Sequence, residues 1–102
     1  MQGINAMIHI KIKFLGIFRE LSGKSRVTIE FEEAVTVGKV VQKMAETFSS
    51  RFKEILIDPE LSDPRPNALI LVNGKEIGVL QGLQTMLDDN DEMVLLPVAH
   101  GG

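Results

Sequence analysis

One stretch of this chain carries a helical apolar stripe, and segments of a different period flank it on both sides. Val37, Val40, Val41, Met44 and Phe48 fall at i, i+3, i+4, i+7 and i+11 behind Thr36, a good N-cap. Lys39, Gln42, Lys43 and Glu46 take the outer side of that helix. Ahead of it, Ile8, Ile10, Ile12 and Phe14 alternate with His9, Lys11 and Lys13, and Val27, Ile29 and Phe31 alternate with Arg26, Thr28, Glu30 and Glu32. Strict alternation describes a strand with one buried and one wet face. Behind the helix, 68–72 is a short apolar run closed by Asn73-Gly74, a tight-turn signal. Residues 92–98 form a last strand, with Pro97 marking where ladder pairing stops. One main helix covers only one face of a small sheet. The expected fold is therefore α+β, a mixed four- or five-stranded sheet opening with an antiparallel hairpin and closing with a parallel return.

The remaining segments are connections. Residues 16–25 read as a link punctuated by Gly16 and Gly23, and the helix is expected to end near Ser49 and Ser50. Phe52, Ile55 and Leu56 then make a shorter, irregular apolar contact, and 58–67, with three of the four prolines, is loop. Residues 75–77 suit a brief edge strand. Leu80, Leu83, Met86 and Leu87 suit a compact crossing segment, and 88–91 a turn. The domain body is expected over 7–98, between a flexible extension (1–6) ahead of Met7 and a flexible tail (99–102).

Composition narrows the chemistry. With 102 residues, 44% hydrophobic and 25% charged, the chain is one ordinary globular domain. It has no cysteine, which removes disulfides, thiolate nucleophiles and Cys-rich metal sites. Its two histidines, His9 and His100, have no carboxylates at ligand-like spacing, so no metal site is expected; His9 sits on the wet side of the first strand. The absence of Trp and Tyr and a net charge of −3 argue against nucleic acid. No run approaches the ~20 apolar residues of a membrane span, and the expected setting is cytoplasmic. Residues 1–75 hold all 11 bases against nine acids, while 76–102 hold five acids and no base. An acidic docking surface and a solubilising rim both fit that split. There is no phosphate loop and no nucleophile elbow, and Lys75 after Gly74 reads as a turn residue, so an enzyme acting alone is not expected.

The end of the sequence stands apart. Gly101-Gly102 closes an apolar strand with two residues that lack a Cβ and so fit a slot too narrow for any other. The five residues from Val98 onward reach at most ~17 Å when extended. A carboxylate is a poor acyl donor, and adenylation by ATP would activate it. By itself the dipeptide is better read as a frayed or truncated terminus, where it is common.

Further residues place the terminus in a pattern. Phe14-Leu15-Gly16-Ile17-Phe18-Arg19-Glu20-Leu21 and Gly23 follow the first strand, and Thr36-Val37-Gly38 opens the helix. Leu71-Val72-Asn73-Gly74, Asp91-Glu92, Pro97 and the terminal Gly101-Gly102 complete the series. From Met7 to Gly102 the chain resembles the ubiquitin-like β-grasp sulfur carriers, specifically the small subunit of molybdopterin synthase (the MoaD type). It departs from that pattern at Asn90, where Gly is common; at Leu95 and Leu96, where aromatics are common; at Val98, where a second proline is common; and at His100, where a smaller residue is usual.

The resemblance implies a ubiquitin-like β-grasp and a carrier rather than an enzyme. An adenylating enzyme related to ubiquitin activators would use ATP to activate Gly102, a sulfur donor protein would replace AMP, and Gly101 would keep the tail thin. The large subunit of molybdopterin synthase would then pass the sulfur to precursor Z. No cofactor would be held permanently. The expected partner surface joins Asp89 and Asp91 to Leu96, Pro97, Val98, Ala99 and His100. Modification of protein lysines, supply of sulfur for thiamine thiazole, and a β-grasp interaction module with no activated terminus remain the alternatives.

Overall fold

The computed structural model describes residues 7–98; the expectations for 1–6 and for 99–102 lie outside them. Strand β1 (Ile8–Phe14) pairs antiparallel with β2 (Arg26–Phe31) and parallel with the last strand, β7 (Glu92–Pro97). On its other side β7 pairs antiparallel with β4 (Ala68–Val72), which turns through Asn73 and Gly74 into the two-residue β5 (Lys75–Glu76). The order is β2-β1-β7-β4-β5, a mixed five-stranded sheet with the last strand at its centre. This is the ubiquitin-like β-grasp.

The main helix α2 (Val37–Thr47) lies where the apolar stripe puts it, and the Thr36 hydroxyl accepts from the Lys39 amide at 3.2 Å. Val37, Val40, Val41 and Met44 are buried against Ile10, Ile12, Ile70, Met93 and Leu95 of the sheet. Gly38 lets the backbone at Leu83 come close, since a Cβ there would stand 3.3 Å from the Leu83 carbonyl oxygen.

Five expectations are corrected. The link after β1 contains a helix, α1 (Ile17–Ser22): Gly16 precedes it, Gly23 closes it in the left-handed conformation, and Phe18 is its buried anchor. The irregular contact at Phe52, Ile55 and Leu56 is a helix as well, α3 (Ser50–Leu56). Ser49, taken as the end of α2, instead caps α3, its hydroxyl accepting from the Phe52 amide at 3.2 Å. Met86 does not pack inward; it is 53% exposed because Met86 and Leu87 form β6 (Met86–Leu87), which pairs with β3 (Val35–Thr36) as a separate two-stranded sheet. Pro97, finally, does not end pairing on both sides. The carbonyls of Asp91 and Leu95 accept from Lys11 and Leu15, so by alternation the missing N–H of Pro97 faces β1. Toward β4 the ladder continues, with the Val98 amide donating to the Asn67 carbonyl at 3.1 Å.

Candidate functional site

Beneath the end of β7 lies the aromatic part of the core. Phe14 at the end of β1, Phe18 on α1, Phe48 after α2 and Phe52 on α3 form one cluster, with ring centroids 4.9–5.8 Å apart in the contacting pairs. Three of the contacts are edge-on, the arrangement the ring quadrupole favours. Leu95 is fully buried in the same core. On β7's β1 side the Leu95 carbonyl accepts from Leu15 at 3.0 Å, and next to it Pro97 packs on Gly16. Gly16 has φ +58°, and a Cβ there would stand 2.9 Å from the proline ring, so this contact needs glycine twice over. The strand is thus held on its β1 edge as far as Pro97 and on its β4 edge up to Val98, which shares a shallow groove with Glu54, Ile55, Asn67 and Pro97. Four residues follow, Ala99, His100, Gly101 and Gly102, outside the described part; extended, they reach at most ~14 Å.

The sheet face away from α2 is open. Its strand centre is apolar: Leu69 pairs across from Leu96, and Leu71 from Val94. Leu69 is 37% exposed and the other three are half-buried. Next to this patch stand Lys13, in register with Val94, and Arg26, in register with Lys13; Lys11 lies one step further along. None of the three cations has a salt-bridge partner among the described residues. The open face near the chain's exit is therefore apolar and basic.

The acidic residues lie elsewhere. Asp88, Asp89 and Asp91 form the turn before β7, so the strand, six residues at ~3.3 Å each, sets them about 20 Å from Pro97. Within that turn Asn90 is left-handed at φ 69°, the conformation its side chain tolerates, and its amide bonds the His9 carbonyl at 2.8 Å. Asp89 accepts from the His9 amide at 2.8 Å and lies 3.0 Å from His9 Nδ1. These bonds from the His9 backbone and ring hold the Asp89 carboxyl below the usual carboxylate range. Asp91 accepts from Asn73 Nδ2 at 3.0 Å and from the Asp88 amide at 2.7 Å, joining the turn to the end of β4. His9 is thus a turn contact rather than a free surface residue.

Of the partner-surface residues expected from the sequence, Leu96, Pro97 and Val98 lie together at the exit. Asp89 and Asp91 lie at the other end of the strand, and Ala99, His100, Gly101 and Gly102 lie outside the described residues. Leu69, Leu71 and Val94 were not among the expected residues. For Leu69 and Leu71 the signal was in the sequence: a run of five apolar residues in a domain with one main helix must leave two of them on the uncovered face. Among the described residues no group of three or more His, Asp or Glu stands close enough to hold a metal ion. No helix among them is long and apolar enough to cross a membrane.

Comparison with known proteins agrees with this fold. The ThiS family pattern matches residues 12–102. Small archaeal modifier protein 3 of Haloferax volcanii is 27% identical over 95 residues, covering 93% of this chain and 100% of that protein. Ubiquitin-related modifier 1 of Saccharomyces cerevisiae is 27% identical over 99 residues, covering 94% of this chain and 100% of that one. The solution structure of small archaeal modifier protein 1 from Methanosarcina acetivorans superposes with a TM-score of 0.78 at 27% identity, over 95% of this chain and 99% of that one. The chain belongs to the ThiS family of ubiquitin-like sulfur carriers.

Proposed function

We propose that this protein carries sulfur as a thiocarboxylate on Gly102. With an adenylating partner, a Gly102 carboxylate oxygen attacks the α-phosphorus of ATP, pyrophosphate leaves, and the acyl adenylate forms. Sulfide-level sulfur, released as hydrosulfide by a sulfur donor protein, then attacks the carbonyl carbon; the C–O bond to AMP breaks, AMP departs, and Gly102 is left as the thiocarboxylate. ATP is consumed on the partner, which fits a carrier that holds no cofactor of its own and works in the ATP-rich cytoplasm. The observation that carries this proposal is the way β7 ends, bonded to β1 as far as Leu95 and toward β4 up to Val98, and followed by four residues closing on Gly101-Gly102. A partner grips the apolar and basic open face at Leu69, Leu71, Val94 and Leu96 while the tail enters its active site. Asp89 and Asp91 take part only where the partner spans the whole length of that face.

The acceptor we favour is the large subunit of molybdopterin synthase, which would use the sulfur on precursor Z. Support comes from the residues after β1, at the start of α2 and at Pro97 that resemble the small subunit. A second acceptor is favoured by a separate observation, the modifier names of the relatives that match nearly the whole chain: amines of other proteins, joined through Gly102. Intact-mass measurement after incubation with the adenylating enzyme, ATP and sulfur donor tests the shared step. The expected product has one oxygen replaced by sulfur, and removing Gly101 and Gly102 abolishes both it and ATP–pyrophosphate exchange. Dithiolene formation with the large subunit supports the first acceptor, and lysine conjugates in cells support the second.

A further inference from the structure

The two edges of the main sheet are unequal. β5 is two residues long, whereas β2 presents six residues, with no proline, as the terminal strand of the order. Edge strands of this length are normally blunted by a bulge, a proline or a covering element, because their free amides and carbonyls pair readily with another strand. On β2 the groups left free among the described residues can be assigned. The Ser25 carbonyl accepts from the Phe14 amide, so Ser25, Val27, Ile29 and Phe31 turn their backbone groups toward β1. Arg26, Thr28 and Glu30 turn theirs outward.

We propose that β2 is a self-pairing edge, and that two copies of this chain join antiparallel across a two-fold axis at Thr28. That register matches three independent features. All outward amides and carbonyls meet, because Thr28 faces Thr28 of the second copy and Arg26 faces Glu30 in the hydrogen-bonded positions. Charge is complementary on the open face, where Arg26 and Glu30 are both exposed and meet twice by symmetry. On the inner face Val27 meets Ile29. These two and Phe31 are only half-buried, unlike Ile10 and Ile12 of β1 at 0% and 1% exposure, so α2 leaves apolar surface there for a neighbour to cover. Shifting the register by one residue would set inward side chains against outward ones. Centring it on Ile29 instead draws in Glu32, which lies beyond the end of the strand. The dimer is a continuous sheet with both open faces on the same side.

Sedimentation velocity on the full chain, from micromolar to hundreds of micromolar, tests this. A reversible monomer–dimer equilibrium is expected. R26E and E30R each oppose like charges at both symmetric positions and weaken dimerisation about tenfold or more, an effect that salt reduces. The double variant R26E/E30R restores pairing to near the original constant, which a merely structural effect of either change would not do. Thr28→Pro removes an outward amide and no bond to β1, so it gives a folded monomer. If Thr28→Pro unfolds the chain, the charge swap decides. A chain that stays monomeric throughout, a dimer indifferent to R26E, or a double variant that fails to recover overturns the proposal.

Discussion

Gly16 shows how one residue can secure the exit of the strand that ends in the tail. Its φ of +58° is costly for any residue with a Cβ, and the space that atom needs is taken by Pro97. Gly16→Ala should therefore destabilise the domain by about 1–3 kcal/mol, read as a lower urea midpoint at unchanged slope. In the sequence Gly16 was visible only as punctuation, because nothing in 16–25 shows that a residue about eighty positions later packs on it. Thr36 and Asn90 were legible, since capping and left-handed turns depend on neighbouring residues alone. Asp89 was misplaced for the opposite reason: a count of charges along the chain says nothing of which end of a strand they occupy. Its folded carboxyl titrates below its ordinary value of 3.8, so at pH near that value the unfolded chain binds more protons than the folded one. The stabilisation is present above the unfolded value and is lost as pH falls through the folded one. Asp89→Asn should accordingly flatten the loss of melting temperature with acid below about pH 4.

Among the elements, legibility followed length. β1, β2 and α2 each repeat a period often enough to declare it, while β4 and β7 are apolar runs set off by turn signals. α1 and α3, at six and seven residues, hold fewer than two full turns and only three apolar positions each. Such helices are stable only through tertiary packing. Phe52 supplies much of it, being fully buried and touching Phe14, Phe18 and Phe48 from three other parts of the chain. Phe52→Ala should cost about 3–5 kcal/mol, and amide exchange in α1 and α3 should rise before that in β1. Exchange that rises uniformly would mean that the two short helices do not form a local unit.

Across the whole molecule, the proposed function divides stability from recognition between the covered and open faces of the sheet. Leu69→Asp changes only the open face, so it should lower kcat/KM for adenylation about tenfold or more and leave the melting temperature nearly unchanged. Asp88→Lys, about 20 Å from the exit, should leave adenylation within about twofold. If the two variants trade effects, the docking surface is the acidic turn and not the apolar patch. The sequence could not distinguish these cases, because the open face combines residues from β4 and β7 that meet only in the folded sheet.

The parallel pairing of β1 with β7 also bears on how the protein is made. The strand synthesised first has the last one as a partner, and β4 waits for that same strand to join the sheet. On the ribosome the sheet therefore stays divided until β7 has been released, however early α2 forms. A polypeptide cut short before β7 has neither a closed sheet nor Val94 and Leu96 on its open face. Under the proposed function, the surface that a partner would read is thus completed only with the last strand, a few residues ahead of the glycines it would act on.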